Sequence, residues 1–313
     1  MPDRRLLYLG LAALLCVAAF MTIGLRGNIG FVLGLRAAKL AALLQVSVSI
    51  AVSTVIFQTV TGNRILTPSI MGLDALYLFG QMLLVFLLGG MSYAALDPQL
   101  KFGGEVLVLM ALATGLLLPM LRRRVDMGLM LLAGVIFGVL FRSLHSLLAR
   151  LIDPNDFAVV QGASFANFND VRTDLLVFAA VLTLVGAAIA WRARHVLDIV
   201  ALGPDAATGL GVTWARTVTG LLLLVSALVA VSTALVGPVA FFGLLVVAVA
   251  ERLVDTRRHA VLLPAAALTA VFILVGGQTL FQHALGNSST LGVVIEFAGG
   301  LVFLLLLVLG SRK

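Results

Sequence analysis

Charge is scarce in this chain. Asp, Glu, Lys and Arg make up 11% of its 313 residues, less than half the roughly 25% of an average soluble domain. Cysteine is scarcer still: Cys16 stands alone, which excludes an internal disulfide and any cysteine-clustered metal site. The dipeptide Gly-Lys never occurs, so there is no G-x-x-x-x-G-K-[ST] loop to cradle nucleotide phosphates. H-E-x-x-H and G-x-S-x-G are missing too. The four histidines, His145, His195, His259 and His283, are scattered over different loops and span ends. They suit solvated or interfacial positions, and no metal set is expected.

What the chain does have is apolar length. It is 61% hydrophobic, and at roughly 20 apolar residues per spanning helix this supplies about nine or ten spans and leaves no room for a large soluble domain. The candidate spans cover residues 6–25, 38–57, 70–95, 104–121, 128–149, 173–191, 217–236, 238–250, 262–283 and 292–309. The expected fold class is therefore all-α: one polytopic membrane domain over 1–313 with about ten transmembrane helices. The eighth span is short, with Gly237 and Pro238 breaking the helix before it and Glu251 and Arg252 closing it. A short helix survives in a membrane only where other helices surround it. Arg4 and Arg5 before the first apolar run resemble a signal peptide, but without a clear small-x-small cleavage site the run reads as a retained first span.

The net charge of +7 and pI near 10.5 would suggest nucleic acid in a soluble protein. Here the basic residues sit in short clusters between apolar runs, as cytoplasmic loops require, so no nucleic-acid partner is expected. With both termini cytoplasmic, 14 of the 21 Lys and Arg fall inside and 7 outside. The outside seven, Arg26, Arg36, Lys39, Lys101, Arg142, Arg150 and Arg172, need a reason.

Two loops stand out. Residues 150–172 form an outside segment with acids and Phe157, Phe165 and Phe168, where a short interfacial helix is expected. Residues 192–216 form an inside segment too polar to span and too long for a simple turn. Leu202, Ala206, Ala207 and Leu210 give it a helical apolar stripe, bracketed by Gly203 and Gly211. The natural reading is an amphipathic cytoplasmic helix that docks on a partner.

Within the spans, Gly134 and Gly138 form G-x-x-x-G, which lets helix backbones approach closely. Gly299 and Gly300 have the same property. Both pairs are candidates for a dimer or pathway face. Acids near membrane depth are Asp74, Glu105, Glu251 and Glu296. Asp74 and Glu296 sit about a turn inside a span end, and a hydrogen-bonding or pathway-lining role is expected of them more than a proton relay.

Several stretches resemble the FecCD-type permeases, which import ferric siderophores, haem and vitamin B12. They are LRAAKL (35–40), a span ending in Phe57-Gln58, then TGNRILTPSIMGLDALY (61–77); Leu202-Gly203-Pro204-Asp205-Ala206-Ala207 with Leu210-Gly211; and Gly237-Pro238-Val239-Ala240-Phe241-Phe242-Gly243-Leu244. The first looks most like the branch handling catechol-type siderophores. Ala38 and Lys39 replace a usual proline and arginine, and Val247-Ala248 a usual Pro-His, as fits a subunit that pairs with a different, more typical permease.

The resemblance implies ten spans in a bacterial inner membrane and a dimer with a second permease subunit, identical or not. It implies two ABC ATPase subunits inside, which carry ATP and Mg so that this chain needs no cofactor and is not itself an enzyme. Outside it implies a periplasmic or lipid-anchored siderophore-binding protein. Leu202, Gly203, Asp205, Ala206, Ala207, Leu210 and Gly211 would contact the ATPase. Arg36 and Lys39 would dock the binding protein, or else snorkel at the start of the second span. The rival readings are a ten-helix secondary transporter of metabolites or drugs and a membrane-embedded enzyme; neither accounts for the 202–211 stripe.

Overall fold

The computed structural model describes residues 2–25, 28–122, 127–161, 168, 173–284 and 291–310. These form fourteen helices and, among the described residues, no strand. Ten of them match the expected spans one for one: α1 (Pro2–Thr22), α2 (Ile29–Thr61), α3 (Leu73–Leu88), α5 (Pro98–Arg122), α6 (Met127–Leu151), α8 (Thr173–Arg192), α11 (Trp214–Val236), α12 (Phe242–Val254), α13 (His259–Ala284) and α14 (Leu291–Gly310). Four are connectors: α4 (Gly90–Ala94), α7 (Pro154–Gln161), α9 (Arg194–Val200) and α10 (Pro204–Gly209). Among the described residues, seven helices are long and apolar enough to cross a membrane alone; α3 and part of α14 are shorter apolar helices. Lipid offers no hydrogen bonds to a bare backbone, so spans of this kind close their bonds within the helix.

Three boundaries differ from expectation. The third span is not continuous over 70–95: the helix stops at Leu88, Gly89 takes φ 78°, and α4 restarts beyond it. The eighth starts at Phe242 instead of 238 and runs to Val254, so Glu251 and Arg252 lie inside it. It is Asp255, at φ 51°, that ends it. The second starts nine residues early, at Ile29, where the Asn28 side chain accepts the Phe31 N–H and caps the helix start. A short helix, α7, stands in the 150–172 loop, while residues 162–167 and 169–172, with Phe165 and Arg172, lie outside the described residues.

α2 is the central post. It packs against α1, α8, α11, α12 and α13, and its second half is buried on almost every side. Small and hydroxyl residues make that possible. Ser47, Ser53, Thr59 and Thr61 each donate to a carbonyl within α2, and Ser49 meets Thr183 of α8 at 3.0 Å. Their polar atoms are thus satisfied without water. A second, smaller cluster of Met82, Val85, Tyr93 and Val160 joins α3, α4 and α7 at the end the charge bias assigns to the outside.

The segments before α3 and α12 lie deep in the bundle. Gly72 approaches the backbone of Gly138, midway along α6, and Phe241 approaches Gly299, midway along α14. Non-helical backbone at such depth is tolerated only where protein covers it.

Candidate functional site

The connector between α8 and α11 is two short helices: α10 falls within the helix expected over 202–211, and α9 precedes it. Gly203, the N-cap of α10, stands at φ 93° and ψ 168°, a backbone region essentially closed to residues with a Cβ. Pro204 then opens α10, where its missing N–H costs nothing. Gly211, at φ 86°, ends α10. Its N–H donates to Thr208 O and that of Val212 to Ala207 O, both at 3.0 Å, the paired bonds of a Schellman cap.

This geometry sorts the stripe. Ala207 is fully buried, whereas Leu202 is 62% and Leu210 60% exposed and Ala206 is exposed beside them. Asp205 lies exposed in the first turn of α10. Three apolar side chains therefore stand in the open on a polar loop.

Beneath the connector lies a polar junction. Asp198 of α9 accepts from both the backbone N–H and the ring Nδ1 of His259, at 2.9 and 2.7 Å. The other ring nitrogen meets the Thr59 hydroxyl of α2 at 2.7 Å. Next to Thr59, Gln58 donates to Arg64 O at 2.6 Å, Arg64 pairs with Glu251 of α12 at 3.5 Å, and Arg5 of α1 donates to Leu253 O at 3.1 Å. A cleft of about 120 Å³ opens among Gln58, Arg64, Ala201, Glu251 and His259. The connector is thus tied to the end of α2 and the start of α13, next to the end of α12.

At the opposite end, Arg36 does not fit the docking role expected of it. It is only 7% exposed. Its guanidinium donates to the carbonyls of Phe20 and Ile23 at 2.8 Å and of Gly24 at 3.3 Å. A helix C-terminus leaves such carbonyls without partners and carries partial negative charge, so the cation is held by α1. Snorkelling to water is corrected by the same contacts. His283 adds a contact to Ile23 O at 3.1 Å. Lys39 is half-buried.

The glycines admit backbone. A Cβ on Gly134 would come within 2.5 Å of Met71 Sδ, one on Gly72 within 2.9 Å of Gly138 N, and one on Gly299 would strike Phe241. Gly134 and Gly138 thus pack inside the subunit against the turn before α3, and Gly299 against the segment before α12. Gly300 has open space around it. Both deep acids belong to these segments: Asp74 takes the Ser69 hydroxyl in the first turn of α3, and Glu296 the Ala240 N–H. Among the described residues no group of three His, Cys, Asp or Glu side chains converges to hold a metal.

The model of the FecCD transport family matches residues 6–309. The chain belongs to that family. It is 40% identical over 302 residues to the petrobactin import system permease protein YclO of Bacillus subtilis, covering 96% of each chain. It is 29% identical over 270 residues to the petrobactin import system permease protein FatC of Bacillus anthracis, covering 86% of this chain and 76% of the relative. The iron(3+)-hydroxamate import system permease protein FhuB of Escherichia coli is 30% identical over 281 residues, 88% of this chain and 41% of that longer protein. Among solved structures, a metal-chelate type ABC transporter in an inward-facing conformation superposes with a TM-score of 0.83, covering 98% of this chain and 99% of that one at 20% identity. That likeness shows the fold.

In this FecCD-family chain several side chains escaped the sequence reading. Asp198 and Thr59 carry no motif, because their partner, His259, lies 61 and 200 positions away. Lys101 stands 3.7 Å over the Tyr93 ring, a cation–π contact between α4 and α5. The tyrosine hydroxyl in turn meets Gln81 of α3.

Proposed function

We propose that this chain is the membrane-spanning permease subunit of an ATP-driven importer of ferric siderophores, with catecholate chelates as the favoured cargo. It lies in a bacterial plasma membrane with both termini in the cytoplasm. It pairs with a second permease, identical or related, and two separate ATPase subunits bind its inner face. The observation that carries this reading is the exposed apolar ridge of Leu202, Ala206 and Leu210 on a connector rooted in the bundle. Exposed apolar side chains rimmed by polar ones mark a protein contact. The chain has no phosphate-binding loop of its own, so the energy must come from a partner, and a contact at α9 and α10 is where it would enter. The names of the relatives support the cargo: petrobactin import for two and iron(3+)-hydroxamate import for a third.

Closure of the ATPase pair would push on α10. The Asp198–His259–Thr59 contacts would pass the displacement to α13 and α2, and rigid helices would tilt the pathway from outward- to inward-open. An extracellular binding protein would deliver the chelate at the opposite end. With Arg36 held by α1, Lys39 is the remaining candidate for that contact.

The test is uptake of a radiolabelled ferric catecholate siderophore by proteoliposomes holding this chain, its partner permease, the ATPase and the binding protein. Uptake should require internal ATP and all four components. Uptake driven by an ion gradient with this chain alone would replace the reading by a secondary transporter.

A further inference from the structure

The face of α6 that points away from the bundle is built wrongly for lipid. Over most of its length it is apolar, with Leu132, Val135, Ile136, Val139 and Leu140 exposed. Towards its outer end it turns polar: Arg142, Ser143, Ser146 and Arg150 are all exposed and, with Val139 and Leu147, line one groove of about 450 Å³. Positions 142, 146 and 150 are spaced by four, so they stack along one side of the helix. Among the described residues, no carboxylate lies within ion-pair distance of either guanidinium.

Depth makes this costly in lipid. At 1.5 Å per residue, Arg142 lies about 14 Å from the end of α6 at Leu151, roughly half of a hydrocarbon core about 30 Å thick. Its guanidinium is also folded away from that end: a Cβ on Gly138, one turn further from Leu151, would lie 3.3 Å from the Arg142 Nη2 atom. Arginine at such depth faces a water-filled space or a paired anion, not acyl chains.

We infer that Arg142, Ser143, Ser146 and Arg150 form a recognition stripe for an anionic ferric chelate on the wall of the translocation pathway. This rests on the permease reading and deepens it by fixing the cargo's charge and the wall it touches. Three catecholates bring six negative charges to one Fe³⁺, so the complex carries a net charge of about −3 and an outer shell of oxygens. Two guanidiniums attract that charge and offer forked donors to the oxygens, while the serine hydroxyls donate between them. The apolar residues on either side hold nothing, so the chelate can leave again. In a permease pair the partner's α6 would face it across the pathway.

The experiment replaces Cys16 by serine and places a reporter thiol on the same face, as V139C or L147C. The full transporter is treated in spheroplasts with membrane-impermeant methanethiosulfonate reagents, one sulfonated and one cationic. Expected are labelling at both reporters, slowing by ferric tris-catecholate but not by a neutral ferric trihydroxamate, and a fall of about tenfold in the anionic-to-cationic rate ratio with Arg142→Gln and Arg150→Gln combined. Arg142→Lys should keep most of that ratio. If neither reporter is labelled, the face meets lipid or a dry subunit contact and the inference is overturned. A rate ratio indifferent to the arginines, or protection lost in neither variant, overturns it equally. Uptake is measured in the same preparation: uptake without labelling removes only the stripe, whereas no uptake of any ferric chelate removes the permease reading with it.

Discussion

One carboxylate oxygen of Asp198 accepts twice from His259, from its backbone N–H at 2.9 Å and from ring Nδ1 at 2.7 Å. The pair joins the connector helix α9 to the first residue of α13. The ring's far nitrogen reaches Thr59, so a single histidine bridges three helices. It ties the connector to the central helix α2, against which α9 also packs directly.

Cutting that route should uncouple the transporter. Asp198→Ala leaves the His259 N–H and ring without their acceptor, at a cost of about 1–3 kcal/mol, towards the low end because the carboxylate is partly open to water. Asp198→Asn keeps one accepting oxygen and should be milder. The check is the number of chelates imported per ATP hydrolysed, together with the melting temperature of the assembled complex. Alanine should lower the ratio several-fold while ATPase binding persists; an unchanged ratio would make the contact purely structural.

The ATPase contact needs a substitution that leaves the connector folded. Ala207 is fully buried, so a bulky acid there would break α10 itself. Ala206→Glu with Leu210→Glu alters only exposed positions. This double variant should insert normally, retain its melting temperature within a degree or two, and lose co-purification of the ATPase. Undiminished co-purification would place the contact elsewhere.

Arg36 and Lys39 should now separate. Arg36→Ala frees three carbonyls at the end of α1 and should destabilise the subunit by about 1.5–3 kcal/mol, the range for hydrogen bonds to a charged group. Binding-protein affinity of the surviving fraction should be unchanged. Lys39→Glu should weaken binding-protein affinity at low salt, with the loss shrinking as salt rises. Affinity measured at two ionic strengths decides both.

Gly134 should tolerate no side chain while Met71 keeps its own. Gly134→Val drives a branched group into Met71 Sδ and the Met71 backbone, and overpacking of this kind costs about 1–3 kcal/mol. Met71→Ala in the same chain should recover only part of the loss, because the Met71 Cα also lies 3.1 Å from the added Cβ position. Thermal unfolding of the single and double variants measures the coupling. At Gly300, which has open space around it, alanine should be neutral for folding of the subunit.

The sequence by itself determined the ten spans, their order and the class of the molecule. Runs of apolar residues about 20 long can be nothing but helices in lipid, and the charges between them bias the orientation. It also marked Gly203 and Gly211, because a backbone with φ near 90° favours a residue without a Cβ. Only the tertiary structure decided what the individual side chains do. Whether Arg36 meets water or the end of α1 depends on how two helices lean together, and nothing in LRAAKL records that. The same holds for Gly134, Gly138 and Gly299: small residues announce a close approach, but their partners, Met71, Gly72 and Phe241, are non-helical backbone that reaches them only after the bundle has closed. Asp198 and Arg142 were beyond reach for one reason. A charged group far from its partner in sequence, or with no carboxylate beside it among the described residues, has its role fixed by the space around it.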